Sequence, residues 1–301
     1  MKFFLISRLT KVLVPRGYGV DFLGTKMNGE FNAGMYTYPQ DTQVQTSYPM
    51  IDDEYFEWID LLESVVAAQG SYTMLDLGAG FGRWAVRAAC ALRQTKPQVP
   101  FQLIAVEAEP TVFQWMRRHF QDNGIDPNRY TLIHGAISEM PGEALFYIGG
   151  PRGGPYDRNP NDWYGQFLTK DNDLTGGYED DGEYCGFKVK RHRSNWRSIA
   201  VPSVSLGRLL ADAQTVDLID MDIEGQELPS VQSNIDELDR KVRRLHIGTH
   251  GKEIEEGLRQ LLSTHGWNCL ADYSLHSTTE TPWGLISFDN GVQSWVNPSL
   301  K

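Results

Sequence analysis

Cysteine is scarce. The three present in 301 residues, Cys90, Cys185 and Cys269, lie too far apart for a disulfide framework or a paired-cysteine metal knuckle. That usage suits a reducing, cytoplasmic setting. Long apolar runs are missing too: nothing approaches the ~20 residues that span a bilayer. The apolar stretch at residues 3–6 falls short of a signal h-region of about 7–15 residues, and Arg8 and Lys11 interrupt the pattern. Positive charge is in the minority. Lys and Arg number 28 against 39 Asp and Glu, giving a formal net charge of −11. Affinity for nucleic-acid phosphate rests on Lys and Arg, so nucleic acid is not an expected partner. What remains is globular material: 41% hydrophobic and 22% charged residues are too apolar for a disordered chain. The length allows one large domain or two small ones.

Residues 1–14 read as a short helix packed on the domain or on a second copy, which leaves room for a homodimer. Residues 17–50 show no clean period and read as an irregular arm, so 1–50 forms an N-terminal arm and 51–301 the main domain. A regular pattern begins at Asp52 or Asp53, either of which suits a helix N-cap, and Gly70 follows the helix. Residues 72–77 read as a buried strand and 83–93 as an Ala-rich helix. Residues 101–106 form a second strand with Glu107 at its tip. Pro110 sits where a helix starts, and Gly124 ends that helix. Further strands are expected at 130–133, 216–221 and 242–247, with helices around Leu206 and from Ile254 to a stop at Gly266. Residues 268–271 and 285–288 read as a closing antiparallel pair. This alternation predicts an α/β, Rossmann-like fold: a mostly parallel sheet with helices on both faces.

Residues 149–197 break the rhythm. They are rich in Gly, Pro, Asp and Asn, and an acidic half from Asp171 to Glu183 precedes a basic half from Lys188 to Arg197. Two readings stand level: a solvated hairpin whose arms neutralise each other, or an inserted lid facing a ligand with Tyr156, Trp163 or Tyr164.

The most informative stretch is LDLGAGFGRW, residues 75–84. A strand feeds a tight glycine turn that opens a helix, the arrangement that brings backbone N–H groups close to a ligand. The spacing is GxGxG, not the GxGxxG of a dinucleotide site, and Trp84 stands where a small residue is expected, so a pyrophosphate ligand is disfavoured. Glu107 lies 25 positions beyond Gly82, where a carboxylate accepts both hydroxyls of a ribose. Together these point to an adenosine-type cofactor without a pyrophosphate, namely S-adenosylmethionine (SAM). Gly78, Ala79, Gly80, Gly82 and Glu107 are the candidate cofactor residues that the spacing offers.

A second constellation is VDLIDMDIEGQE, residues 216–227. In an extended backbone Asp220, Asp222 and Glu224 share one face. The expectation is no dedicated metal; were Mg²⁺ bound, Asp222 and Glu224 would be its ligands. The alternative is that both cap the next helix. His250 ends the fifth strand at the same sheet edge, where an imidazole with a pKa near about 6.5 suits a general base. His250 and Asp222 are the candidate catalytic residues.

These stretches, with VEAEP (106–110), HGAIS (134–138), VPSVSLGRLL (201–210), MDIEGQE (221–227) and LHIGTHG (245–251), occur in one order. In that order the chain resembles the FkbM family of SAM-dependent methyltransferases. The resemblance implies a class I methyltransferase fold with a seven-stranded sheet and an antiparallel C-terminal strand pair. It also implies O-methylation of a hydroxyl on a sugar, polysaccharide precursor or secondary metabolite, with a small-molecule or glycan acceptor. Gly78, Gly80 and Glu107 match the family's cofactor positions, Asp76 its first acidic residue and Ala136 a position near the adenine. Two other classes compete: an NAD-dependent oxidoreductase, against which the glycine spacing and Trp84 speak, and a non-catalytic Rossmann-like binding module.

Overall fold

The computed structural model describes residues 11–31, 36–140, 142–149, 166–169 and 177–300. The central sheet is built from β1 (Tyr72–Leu77), β2 (Phe101–Glu107), β3 (Tyr130–His134), β4 (Leu218–Met221), β5 (Arg244–Thr249), β6 (Asn268–Tyr273) and β7 (Gly291–Val296). Their order across the sheet is β6-β7-β5-β4-β1-β2-β3. The pairs β5/β4, β4/β1, β1/β2 and β2/β3 are parallel, and β7 runs antiparallel to both β5 and β6. The Rossmann-like expectation of a mostly parallel seven-stranded sheet is met among the described residues. The strand order reverses between β1 and β4, and in open α/β sheets the ligand crevice lies outside the carboxyl ends at such a switch point.

Helices α1 (Tyr55–Ala67), α2 (Arg83–Thr95) and α3 (Pro110–Asp122) cover one face; α4 (Leu206–Ala211), α5 (Glu227–Ser233), α6 (Ile235–Lys241) and α7 (Lys252–Thr264) cover the other. The Ala-rich face of α2 buries Ala85, Ala88, Ala89 and Ala91, whose small side chains let the helix lie close to the sheet. Pro110 opens α3 as expected, and the Glu109 side chain caps it by accepting the Val112 N–H at 2.6 Å. Asp52 and Asp53 do not cap α1: Glu54 holds the N-cap position, with no side-chain bond.

Two expectations are corrected. The partner of β6 is residues 291–296, not 285–288, because Leu285 and its neighbours fold back in a local hairpin, Ser277–Thr281 with Gly284–Phe288. The arm is ordered over its described part. Lys11–Val14 is a strand, not a helix, and pairs with Thr42–Gln45, while Tyr18–Val20 pairs with Lys26–Asn28. Residues 1–10, on which the expected helix also rested, lie outside the described residues. The stretch at 149–197 is not structureless where described: Tyr178–Tyr184 pairs with Phe187–His192, which pairs with Arg197–Val204. Arg197–Val204 also pairs with Gly142–Gly149, and a second sheet results. The hairpin reading holds there, with Arg191 bonded to Glu179 at 2.9 Å. Tyr156, Trp163 and Tyr164 lie outside the described residues. Among the described residues no helix is long and apolar enough to cross a membrane.

The arm seals the glycine loop from outside. Phe31 stacks on Phe81 at 5.3 Å, and both rings flank His119 of α3. His119 is fully buried, its Nδ1 3.1 Å from the Phe81 carbonyl. Burial pushes its imidazole down to about 3. The folded protein thus holds His119 neutral, whereas the unfolded chain takes up a proton below its ordinary value of 6.5. The stability contribution is full above that value and is lost as pH falls towards about 3. Between about pH 7.5 and about pH 5 the loss is expected to be about 2 kcal/mol. Urea denaturation of the protein and of His119→Gln at both pH values checks this: the variant should lack that part of the acid slope.

Candidate functional site

The glycine loop follows β1. Gly78, Gly80 and Gly82 all have positive φ, at 75°, 55° and 74°. The first two line a cavity of about 430 Å³ at the switch point, within the usual range of ligand pockets. Gly78 has a further reason to be glycine: a Cβ there would stand 1.8 Å from the Asp222 carbonyl oxygen. The Asp222 N–H also donates to the Leu77 carbonyl at 2.9 Å, so the loop after β4 is fastened to the loop after β1. Gly82 does not line the cavity. It caps α2, and a Cβ there would meet Phe120 at 2.7 Å and Met116 at 2.9 Å, so its smallness serves helix packing.

Glu107 ends β2 beside the loop. Its Oε2 accepts the Gly80 N–H at 2.9 Å and its Oε1 accepts the Glu109 N–H at 2.7 Å. Burial pushes the carboxyl up to about 8; the Glu109 charge adds to the rise, and the backbone donors oppose it. Asp76 holds the start of α2 by accepting the Ala85 N–H at 3.0 Å, and burial pushes it up to about 7. Ala79 and Ala136 line the cavity with Ala108, Ile137 and Phe146, which make an apolar side. The bridge between Phe146 and Leu168 brings residues 166–168 onto that side, so part of the inserted region does face the cavity.

The described lining carries six carboxyls, from Glu57, Asp76, Glu107, Asp220, Asp222 and Glu224, against one cation, Arg83. All six are held above their ordinary values, with burial the largest cause in each. A bound cation would draw such a wall toward its ionised form, whereas a pyrophosphate would drive it further toward the protonated one, so the wall favours a cation. Asp220 does not share a face with Asp222 and Glu224, because the strand stops at Met221 and the chain turns. It clusters instead with Glu57 of α1 and His246 of β5. Glu57 carried no signal in the sequence: it lies on a helix before the motif and reaches the site only through packing.

Asp222 and Glu224 do not cap α5. No side chain caps α5, and the Glu227 carboxylate instead fastens the preceding turn by accepting the N–H groups of Gly225 at 2.9 Å and Ile223 at 3.3 Å. Glu227 also accepts a hydrogen bond from His250 Nδ1 at 2.8 Å. The other ring nitrogen of His250, Nε2, lies 3.2 Å from Asp222 Oδ1 and 3.5 Å from Glu224 Oε1. Burial would lower the imidazole, but the Glu227 hydrogen bond and the charges of Asp222, Glu227 and Glu224 raise it to about 9. This differs from the sequence expectation of a histidine titrating near neutrality. His250 stands behind the cavity wall, while Asp222, with 53% of its side chain accessible, faces the opening.

No family model matches the chain. A protein of Jannaschia sp. (strain CCS1) named "Putative methyltransferase" is 28% identical over 244 residues, 81% of this chain and 79% of its own. Among solved structures, a precorrin-6y C5,15-methyltransferase from Geobacter metallireducens GS-15 aligns over 83% of this chain and 92% of its own, at 12% identity and a TM-score of 0.42. A methyltransferase FkbM from Methylobacillus flagellatus KT aligns over 77% of this chain and 45% of its own, at 16% identity and a TM-score of 0.40. At these scores the structural likenesses carry no argument about chemistry.

Proposed function

We propose that the protein is a SAM-dependent methyltransferase that methylates a hydroxyl of a small-molecule or glycan acceptor, in the manner of the FkbM family. The observation that carries this reading is the cavity at the switch point, a glycine loop and Glu107 backed by five further carboxyls and one arginine. SAM suits that wall: it is a nucleoside bearing a sulfonium, an ammonium and one carboxylate, a net cation. Glu107 would accept the ribose hydroxyls, the loop amides and Arg83 would meet the amino-acid carboxylate, and Asp76 the ammonium. Ala136, Ile137 and Phe146 offer the adenine an apolar slot. The name of the Jannaschia relative supports the same reaction class.

SAM supplies a methyl already activated by its sulfonium. The chain's share is to align the acceptor oxygen, exclude water and remove a proton. With methyl transfer to the acceptor oxygen leaving S-adenosylhomocysteine as product, Asp222 would take the hydroxyl proton. Asp222 takes this role because it faces the opening; His250 behind it holds the carboxylate in place. Calorimetric titration with S-adenosylhomocysteine tests the reading. Micromolar binding is expected, with none for NAD. Binding of NAD alone would turn the assignment to an oxidoreductase.

A further inference from the structure

We propose that Asp222 Oδ1, Glu224 Oε1 and His250 Nε2 form a binding site for one divalent cation at the mouth of the cavity. The three atoms lie within 4.8 Å of one another. The two spacings from Nε2, 3.2 and 3.5 Å, are what ligands on one ion show when each sits about 2.0–2.2 Å from it.

The histidine separates this cluster from an ordinary group of surface acids. Its side chain is only 9% accessible. Its Nε2 points between the two carboxylates yet makes no hydrogen bond among the described residues. Its charge contacts with the two carboxylates lack hydrogen-bond geometry, and a cation between the three groups would satisfy all of them in place of the ring proton. The opposite nitrogen is already committed. Nδ1 bonds Glu227 Oε1 at 2.8 Å, the carboxylate–histidine pairing that fixes a ligating ring and leaves Nε2 for the metal. Glu227 is itself pinned by the Gly225 and Ile223 amides, so the outer shell is preformed. Three carboxylates around one imidazole leave an excess of negative charge that a dication balances.

One nitrogen and two carboxylate oxygens suit Mn²⁺ or Zn²⁺ with water completing the shell better than Mg²⁺, which takes oxygen ligands. The catalytic use of the ion rests on the methyltransferase reading. An acceptor hydroxyl on the cation would ionise more readily, its proton passing to the free Oδ2 of Asp222. The binding site itself does not depend on that reading.

The test is Mn²⁺ titration of chelator-stripped protein, followed by the electron paramagnetic signal of free Mn²⁺. One equivalent should bind, and the bound ion should show spin-echo modulation from a histidine nitrogen. His250→Ala should lose the modulation and at least about 10-fold in affinity, and Glu224→Gln should lose affinity to a similar extent. Circular dichroism and melting temperature would establish that both variants are folded. Absence of binding up to millimolar Mn²⁺ would overturn the site, as would binding that neither variant changes. S-adenosylhomocysteine binding, measured separately, keeps the two proposals distinct. A protein that binds nucleoside but no metal loses the cation site alone; one that binds metal but no nucleoside loses the methyltransferase reading and keeps the site.

Discussion

Glu107→Ala is expected to weaken S-adenosylhomocysteine binding by at least about 100-fold. Its carboxylate has two tasks. It tethers the glycine loop and the start of α3 through the Gly80 and Glu109 amides, and on the proposed reading its remaining lone pairs would meet a ribose. Hydrogen bonds to a charged group are each worth about 1.5–3 kcal/mol, so losing two to the ligand costs about 3–6 kcal/mol, or at least two decades in Kd. Slackening of the loop adds to the loss. Calorimetry on the variant, with circular dichroism to verify the fold, decides the matter, and affinity within about three-fold of the parent would refute the role. The pH dependence follows from the same carboxyl. Burial holds it at about 8 in the free protein, and hydroxyl donors favour its ionised form. Affinity should therefore rise as pH approaches that value and level off above it, with a proton released on binding below it. The alanine variant should lose this slope.

The sheet was legible because its parallel strands are apolar nearly throughout: β1 and β4 are buried on both faces, and such runs stand out from the flanking glycines. The last strand was not. β7 buries Gln293 and Ser294, which read as surface residues in a sequence but are satisfied by the Glu255 carbonyl and by Asp60. The hairpin at 277–288 supplied a more hydrophobic decoy. The glycine loop and the place of Glu107 beside it were readable from local spacing, since a turn and a strand end are local events. Glu57 was not, because three-dimensional packing alone brings α1 under the cavity. The behaviour of His250 was hidden for the same reason. An imidazole acquires its properties from neighbours, and Glu227 lies 23 positions away in the chain.

The second large effect concerns the arm, which a pattern search dismisses as irregular. Asp21→Ala is expected to cost about 3–5 kcal/mol of folding stability. Asp21 and Arg87 are 8% and 5% accessible, and Arg87 Nε donates to Asp21 Oδ2 at 2.9 Å. The other oxygen, Oδ1, accepts the N–H groups of Leu23 and Thr25 at 3.0 Å each and so folds the turn that carries the aspartate. The guanidinium packs over the rings of Trp58 at 4.2 Å and Trp84 at 4.3 Å, which meet edge to face. Removing the carboxylate leaves a buried charge with its main counterion gone, and that penalty, not the Coulomb attraction itself, sets the size of the effect. The double change Asp21→Ala with Arg87→Leu removes both charges and should recover at least half the loss, a coupling that urea denaturation of the four proteins measures directly. A loss below about 1 kcal/mol in the single variant would show that the arm is not anchored by this pair. The consequence reaches the site through Trp84, which packs on Arg87 and also lines the cavity next to the glycine loop. Loosening the arm should therefore weaken nucleoside binding in a protein that is still folded at low temperature.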